Sequence, residues 1–353
     1  MPCVQRQDRR AFVGAWTLGS VLGIALAVSI GCTSVKLSEP TAGESVEAFT
    51  GPTMGTQYTV RYGAATCCPN AEILQSYVDR RLAEINERMS TYDPESELSR
   101  FNRHSGDDWF AVSEETAKVV AYALEIAAET NGAFDPTVGP AVNLWGFGPD
   151  GRLTEPPTDE GIEDAAKLVD YTKVEARLSP PALRKTDPQV YVDLSAVAKG
   201  YGSDAIGQLL SDNGVENYMV EIGGEVATRG SKADGSPWRI GIEKPQASAR
   251  SLQTVVELAG EALATSGDYR NFFEDDDVRY SHTIDPTTGR PVTHNLATVS
   301  VRASTCMEAD AQATALLVMG RQRGYDWAEE RGIAALMIER TDNGPVESQT
   351  SAW

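Results

Sequence analysis

Histidine and cysteine, the residues that most often build metal centres, are scarce in this sequence. It has three His and five Cys in 353 residues, and no Cys-x-x-Cys pair or His-rich spacing occurs. A zinc centre and a disulfide framework are therefore excluded. We predict that the adjacent Cys67 and Cys68 are a surface feature and that Cys306 is a packed thiol.

Positive charge is also in short supply. The chain has 31 Lys and Arg against 51 Asp and Glu, a formal net charge of −20. Nucleic-acid binding is excluded, because phosphate backbones attract the opposite charge. Hydrophobic residues at 41% and charged residues at 23% are ordinary for a soluble globular protein. The composition therefore predicts an acidic globular body.

The common motifs of nucleotide-binding and hydrolytic enzymes are missing as well. G-x-x-x-x-G-K-[ST], G-x-S-x-G, and G-x-G-x-x-G between a strand and a helix do not occur. Gly146-Phe-Gly148 is followed by Pro149, which is typical of a turn. A P-loop enzyme, a dinucleotide-binding domain and a serine hydrolase of the usual type lose their main support.

The N-terminus is typical of an export signal. Arg6, Arg9 and Arg10 precede an uncharged stretch at 11–30, and Cys32 follows directly after a glycine. This pattern predicts a lipoprotein signal in which a lipidated Cys32 becomes the mature N-terminus, and the arginine pair also resembles a twin-arginine signal. An uncleaved anchor and plain secretion are the alternatives. Each of them puts the body outside the cytoplasm; we expect it lipid-anchored on the periplasmic side of the inner membrane.

We divide the chain into a signal peptide at 1–31, a flexible membrane tether at 32–48, one folded domain at 49–340 and a polar tail at 341–353. Removing residues 1–31 leaves 28 basic against 50 acidic residues, a charge of −22, so the negative charge belongs to the folded body. Such a surface repels anions at long range. A phosphate site must therefore be local, and we expect it to need a cation.

Runs of strands mixed with helices predict an α/β (mixed α+β) fold, a single large domain with a mixed sheet and helices. A strand is predicted at 190–194 and a helix from Ala196 onward. Residues 91–102 are predicted to form a loop. Residues 149–190, with six prolines, are predicted to be a surface excursion around a short helix.

Three polar clusters carry the candidate chemistry. Asp193 ends the strand at 190–194, a usual position for ligand contacts, although Ser195 and Asp193 could simply cap the next helix. Asp310 and Thr314 are four apart on one helix, which suits two oxygen ligands of Mg²⁺; a dipole-complementing Asp and a back-bonded Thr are the alternative. His282, in a loop of hydroxyl groups, could be a general base or merely solvated.

Taken in order, these clusters resemble the FAD:protein FMN transferases, also known as the ApbE family. The Val-Asp-Leu-Ser-Ala-Val-Ala-Lys-Gly-Tyr segment at 192–201, the His282 turn and the Asp310 helix carry the resemblance. Further matching segments lie at 53–56, 90–102, 132–140, 144–148, 222–225, 238–245 and 265–269. Any one of them is weak, but the ordered series is specific and spans nearly the whole body.

The resemblance implies a set of site residues. Flavin contacts would fall on Met54, Tyr92, Ala133, Phe134, Asp135, Asp193, Lys199 and Ile284. Magnesium ligands would be Asp310, Thr314 and the backbone carbonyl of Ala196, a role that leaves the alanine side chain unused. His282 would be the required histidine that takes the proton of the attacking hydroxyl, with Asp285 orienting it. We also expect Asp310 to be surface-accessible rather than part of the core.

The implied reaction splits FAD at its pyrophosphate, attaches FMN to a Thr or Ser hydroxyl of a target protein and releases AMP. FAD is then a substrate, Mg²⁺ the cofactor, and the partner a redox subunit at the membrane. A Mg²⁺-dependent FAD pyrophosphatase is an enzymatic alternative, with water in place of the protein hydroxyl. A non-catalytic FAD-binding lipoprotein and a plain adhesion lipoprotein are the alternatives from other classes.

Overall fold

The secondary structure follows from a computed structural model, which describes residues 46–63, 68–149, 151, 153, 155–245, 252–268, 272–275 and 278–353. Its strands are β1 (Val46–Thr53), β2 (Thr56–Gly63), β3 (Phe110–Ala111), β4 (Val174–Leu178), β5 (Pro181–Lys185), β6 (Tyr218–Ile222), β7 (Glu225–Arg229), β8 (Trp238–Glu243), β9 (Leu252–Leu258), β10 (Ala262–Gly267), β11 (Phe272–Asp275), β12 (Val278–Ser281), β13 (Ile284–Asp285), β14 (Arg290–Pro291), β15 (Leu296–Ala303), β16 (Ala334–Glu339) and β17 (Val346–Gln349). Its helices are α1 (Ala71–Met89), α2 (Glu97–Arg103), α3 (Glu114–Glu129), α4 (Gly139–Leu144), α5 (Asp159–Ala166), α6 (Ala198–Asp212), α7 (Cys306–Met319) and α8 (Arg321–Glu330).

Eight strands form the central sheet, in the order β1-β2-β6-β7-β10-β15-β16-β17. Every neighbouring pair in it is antiparallel, so the α/β fold class is confirmed, with an antiparallel sheet where a mixed one was expected. Short turns join β1 to β2, β6 to β7 and β16 to β17, and a short turn permits only an antiparallel pair. The other neighbouring strands are joined through longer segments that contain further elements. The segment assigned to a polar C-terminal tail contributes β17 at the edge of the sheet.

Alternation along the strands gives the sheet two apolar faces. Ala264 of β10 and Met337 of β16 pack with helices α7 and α8 on one face. Leu263 and Leu336, which directly precede Ala264 and Met337 in the sequence, pack with the β8–β9 hairpin on the other face. Side chains alternate between the faces of a strand, so both faces need a cover. At the other end of the sheet, α1 and α6 pack on β1, β2 and β6.

The helix boundaries follow local capping signals. The side chain of Asn70 accepts the backbone N–H of Ile73 at the start of α1, and Ser113 does the same for Thr116 in α3. Ser96 caps α2 through Ser99, so the predicted loop at 91–102 is wrong in its second half. A short helix of this kind has too few periodic positions for its pattern to be detected.

Residues 149–190 are more ordered than the predicted surface excursion. They contribute β4 and β5 to a three-stranded sheet with β3. The Lys185 side chain is buried and donates to the carbonyl oxygens of Asn102, Pro188 and Val190 at 2.7, 2.9 and 3.1 Å. The prolines and charges of this segment are typical of a surface loop, so they did not predict a sheet. A buried lysine whose ammonium group is satisfied by three carbonyls also cannot be distinguished locally from a surface lysine.

The predicted strand at 190–194 is absent from the described structure, where these residues are irregular. The side chain of Asn102 takes the part of a neighbouring strand: its Nδ2 donates to the carbonyl of Val192 and its Oδ1 accepts the Val192 N–H, both at 2.8 Å. The N–H of Asp193 donates to the carbonyl of Pro136 at 2.7 Å. The segment is thereby pinned without a ladder partner.

The described residues belong to one compact unit. None of their helices is long and apolar enough to cross a membrane. The predicted signal peptide and most of the tether lie outside the described residues, and their assignment stays a prediction.

Candidate active site

Helices α6 and α7 cross with almost no space between them at Gly200. A Cβ added there would lie 2.4 Å from the carbonyl oxygen of Cys306 and 2.8 Å from Asp310 Cβ. The absent side chain therefore allows the two backbones to approach. The backbone N–H of Gly200 donates to Asp310 Oδ2 at 2.9 Å. Asp310 is only 2% exposed, so the expectation that it is surface-accessible is wrong: α6 covers it.

Backbone groups at the start of α6 lie outside the helical hydrogen-bond pattern. Gly200 is the third residue of the helix, where an N–H has no acceptor within the helix, and Asp310 supplies one. The first helical bond runs from the Tyr201 N–H to the Val197 carbonyl, so the Ala196 carbonyl precedes the helical pattern. A backbone oxygen, one carboxylate oxygen of Asp310 and the Thr314 hydroxyl one turn later on α7 are all oxygen donors, which suits a hard cation such as Mg²⁺.

Lys199 and two buried carboxylates form an ion cluster beside this crossing. Lys199 Nζ lies 2.8 Å from Glu225 Oε1 and 3.9 Å from Asp310 Oδ1. Burial by itself lowers the pKa of Lys199, but the two carboxylates outweigh burial and raise it, so the lysine is held charged. Burial raises the pKa of Glu225 to about 7 despite the lysine. The same desolvation raises the pKa of Asp310.

The second oxygen of Glu225 has no hydrogen-bond partner although it is buried. Two buried carboxylates therefore share one ammonium group, and an uncompensated buried charge is costly. Among the described residues no group of three or more His, Cys, Asp and Glu side chains is arranged to hold a metal ion by itself. A cation here would rely on backbone and hydroxyl oxygens in addition to Asp310.

The residues expected to contact the flavin lie in two settings. Met54, at the β1–β2 turn, packs against the core cluster that contains Phe134, which is 3% exposed. Tyr92 is 63% exposed, and its hydroxyl donates to the carbonyl of Phe147 at 3.3 Å. Partial burial and then the charge of Asp193 raise the pKa of Tyr92. An exposed aromatic ring beside a carboxylate is available for a ligand; Met54 and Phe134 are mostly packed.

Asp135 and Asp193 organise the backbone around them. Asp135 Oδ1 accepts the N–H and the hydroxyl of Thr137 at 2.7 and 2.6 Å, and burial raises its pKa. Asp193 Oδ1 accepts the N–H and hydroxyl of Ser195 at 2.8 and 2.5 Å. These bonds close a turn before α6. The N-cap of that helix is Val197, with no side-chain cap, so the capping alternative for Asp193 and Ser195 is wrong. Both bonds use Oδ1, and neither prevents Oδ2 of Asp193 from meeting a ligand.

His282 lies at the far end of the same region. Its ring meets the edge of Phe147, with the ring centroids 6.2 Å apart at an interplanar angle of 70°. Phe147 therefore links His282 to Tyr92. Asp285 Oδ1 accepts the N–H of Thr287 within the following turn, at 2.9 Å. Ile284 is 5% exposed and packs in a buried cluster with Trp145.

The remaining expected residue, Ala133, is 4% exposed beside Phe134. Asp193, Tyr92 and His282 thus form one connected group through Phe147. The Lys199 cluster lies at the start of α6, six residues after Asp193. The sequence motifs did not predict the part played by Glu225, which they include only within the matching segment at 222–225. No local signal could have shown it, since Glu225 and Lys199 are 26 residues apart.

The fold and this constellation define a flavin transferase-like protein. The chain matches the ApbE family over residues 54–337 and belongs to that family. The motif-based resemblance is therefore confirmed.

Two relatives illustrate the similarity. The FAD:protein FMN transferase of Vibrio cholerae is 48% identical over 307 residues, which are 86% of this chain and 91% of the relative. That of Escherichia coli is 38% identical over 314 residues, 88% of this chain and 89% of the relative.

Solved structures agree. The flavin transferase ApbE from Vibrio cholerae superimposes with a TM-score of 0.81 at 46% identity, covering 87% of this chain and 98% of that one. The apo flavinyl transferase ApbE of Pseudomonas stutzeri gives 0.80 at 40% identity, covering 88% and 96%.

Proposed function

We propose that this chain transfers FMN from FAD to a Thr or Ser hydroxyl of a target protein. The hydroxyl oxygen forms a phosphoester bond to the FMN phosphorus, the pyrophosphate P–O bond breaks, and AMP leaves with the electron pair. The single observation that carries the proposal is the α6–α7 crossing in a chain of the ApbE family. There the Gly200 N–H donates to one oxygen of Asp310, just after Ala196, whose carbonyl precedes the helical pattern of α6.

Mg²⁺ would be held by Asp310, Thr314 and the Ala196 carbonyl. When bound, it neutralises charge on the pyrophosphate oxygens, and phosphoryl transfer depends mainly on such neutralisation and on positioning. The Lys199 cluster supports this assignment, because two buried carboxylates face a single lysine and a cation would compensate the second of them. A local cation would also offset the repulsion between an anionic substrate and the chain, whose net charge is −20.

His282 is our candidate for the group that takes the proton of the attacking hydroxyl. Its contact with Phe147 restricts the orientation of the imidazole. Tyr92 would stack on the flavin, and Met54, Ala133, Phe134, Asp135, Asp193, Lys199 and Ile284 would complete the flavin site. Lys199 is held charged, which favours contact with an anionic group of FAD.

We also propose that the protein acts outside the cytoplasm, lipid-anchored through Cys32 on the periplasmic side of the inner membrane. The uncharged stretch at 11–30 and the Gly31-Cys32 pair support this. A target that is a redox subunit at the same membrane would meet the enzyme there.

One experiment separates the candidate activities. The folded domain is incubated with FAD, Mg²⁺ and a hydroxyl-bearing target protein. A target that carries covalently attached, fluorescent flavin, together with released AMP, supports transfer. FMN and AMP in equal amounts, with an unlabelled target, identify a pyrophosphatase, and unchanged FAD bound to the protein identifies a carrier. Omitting Mg²⁺ from a parallel reaction tests the metal requirement.

A further inference from the structure

The interface between β10 and α7 consists of small apolar residues with one polar pair at its end. Ala264 of β10 packs with Ala309 and Ala313 of α7 in a buried cluster. Because side chains alternate along a strand, Ser266 is the next residue of β10 on this face. It meets Thr314, and the two hydroxyl oxygens are 3.1 Å apart. The close packing of β10 on α7 needs only small side chains, so it does not explain why two hydroxyl groups meet at this position.

Which of the two hydroxyl groups donates this hydrogen bond matters for metal binding. A neutral hydroxyl that binds a cation does so through an oxygen lone pair and keeps its proton, which must be donated elsewhere. A helical threonine can donate to the carbonyl one turn earlier, which ties its oxygen to its own helix. In this structure Ser266 Oγ offers an acceptor outside the helix.

We propose that Ser266 is a positioning residue for the metal ligand Thr314. It accepts the Thr314 hydroxyl proton and thereby turns the lone pairs of that oxygen toward the cation. The inference rests on the magnesium site of the proposed function and adds to it a residue outside the ligand set. Groups that orient metal ligands in this way commonly contribute a large part of metal affinity.

The acceptor itself is held in place just beyond Ser266. The Asp268 carboxylate forms an ion pair with both terminal nitrogens of Arg340. The guanidinium of Arg279 donates to the Asp268 carbonyl at 2.7 Å, and Asp268 is 6% exposed. The end of β10 is therefore anchored by two arginines, so Ser266 Oγ is a fixed acceptor rather than a mobile one.

The neighbouring Thr265 provides a matched control. Its hydroxyl is bonded to Ser300 across the β10–β15 pair, 2.8 Å away, on the opposite face of the strand. Thr265→Ala removes a hydroxyl from the same strand without touching α7. It therefore reports the cost of losing a hydroxyl at this end of the sheet, separately from any effect on Thr314.

The test measures metal affinity directly. Mn²⁺ is titrated into FAD-free protein and followed by electron paramagnetic resonance, for wild type, Ser266→Ala, Ser266→Cys, Thr265→Ala and Asp310→Asn. We expect Ser266→Ala to bind roughly 10- to 100-fold more weakly, the usual effect of losing an orienting partner. Ser266→Cys, with a weaker acceptor of similar size, should fall between it and wild type, and Thr265→Ala should match wild type.

A kinetic split gives a second readout. In Ser266→Ala the Mg²⁺ concentration for half-maximal turnover should rise by the same factor, while turnover at saturating Mg²⁺ falls much less. Wild-type affinity in Ser266→Ala and Ser266→Cys, with binding lost in Asp310→Asn, would overturn this inference and leave the metal site intact. Undiminished binding in Asp310→Asn would overturn the metal site of the proposed function itself. Thermal unfolding of each variant identifies any that fail to fold.

Discussion

Replacing Gly200 with alanine tests the close crossing of α6 and α7. Alanine is the better helix former by about 1 kcal/mol, so an uncrowded site would be stabilised by the change. Here the new Cβ would lie 2.4 Å from the carbonyl oxygen of Cys306 and 2.8 Å from Asp310 Cβ, and neither atom is the end of a flexible side chain. The helices must separate, and overpacking of this kind costs about 1–3 kcal/mol.

Steric cost therefore outweighs helix propensity, and we expect a net loss of stability. The net loss is up to about 2 kcal/mol, so at about 2–4 °C per kcal/mol for large domains Tm should fall by up to roughly 8 °C. The separation also lengthens the bond between the Gly200 N–H and Asp310, so transferase activity should fall more than stability alone explains. Calorimetry and turnover at a temperature where both proteins are folded measure the two effects.

Gly202→Ala is the control for stability. A Cβ on Gly202 would approach only the terminal methyl groups of Ile222 and Met54, at 3.1 and 3.2 Å, and these can rotate away. It should be close to wild type in Tm or slightly higher. If Gly200→Ala is as stable as Gly202→Ala, the reasoning about backbone contact at the crossing is refuted.

Three further predictions concern single side chains. His282→Asn should bind FAD normally yet lose about 10²–10⁴-fold in transfer rate, the usual contribution of general base catalysis, in single-turnover assays. Tyr92→Ala should weaken FAD binding by the equivalent of about 1–3 kcal/mol, as loss of ring stacking predicts, measured by flavin fluorescence titration. Burial raises the pKa of Asp204 to about 6 from 3.8, so its contribution to stability is greatest below the lower value and is lost as pH rises through the upper one. Asp204→Asn should therefore gain stability relative to wild type between these pH values, measured by denaturant unfolding.

Each of these predictions has its own check. His104 pairs with Asp108 away from the candidate site, so His104→Asn should keep the full transfer rate. A parallel loss of FAD affinity and rate in His282→Asn would instead indicate a phosphate-positioning role. Tyr92→Phe keeps the ring and should bind FAD nearly as well as wild type; unchanged affinity in Tyr92→Ala would return Tyr92 to a packing role. A pH-independent stability difference for Asp204→Asn would contradict the raised pKa.

Local signals in the sequence indicate individual helices and the order of the motifs. Helix α1 begins after its Asn70 cap and buries Leu74, Val78, Leu82 and Ile85, the periodic positions that predict it. Such signals lie within a few residues of one another, so they do not depend on the rest of the fold. The family resemblance also came from short contiguous segments, which is why it could be identified before the structure.

The tertiary structure alone decided how those segments meet. The irregular path of 190–194 depends on Asn102, which is 90 residues from its partner Val192. The pairing of Lys199 with Glu225 and the burial of Asp310 against Gly200 likewise join residues distant in sequence. These contacts depend on strand register and on the distance between two helix axes, and no single segment encodes either. The sequence therefore determined which residues carry the chemistry, and packing decided their partners, exposure and charge.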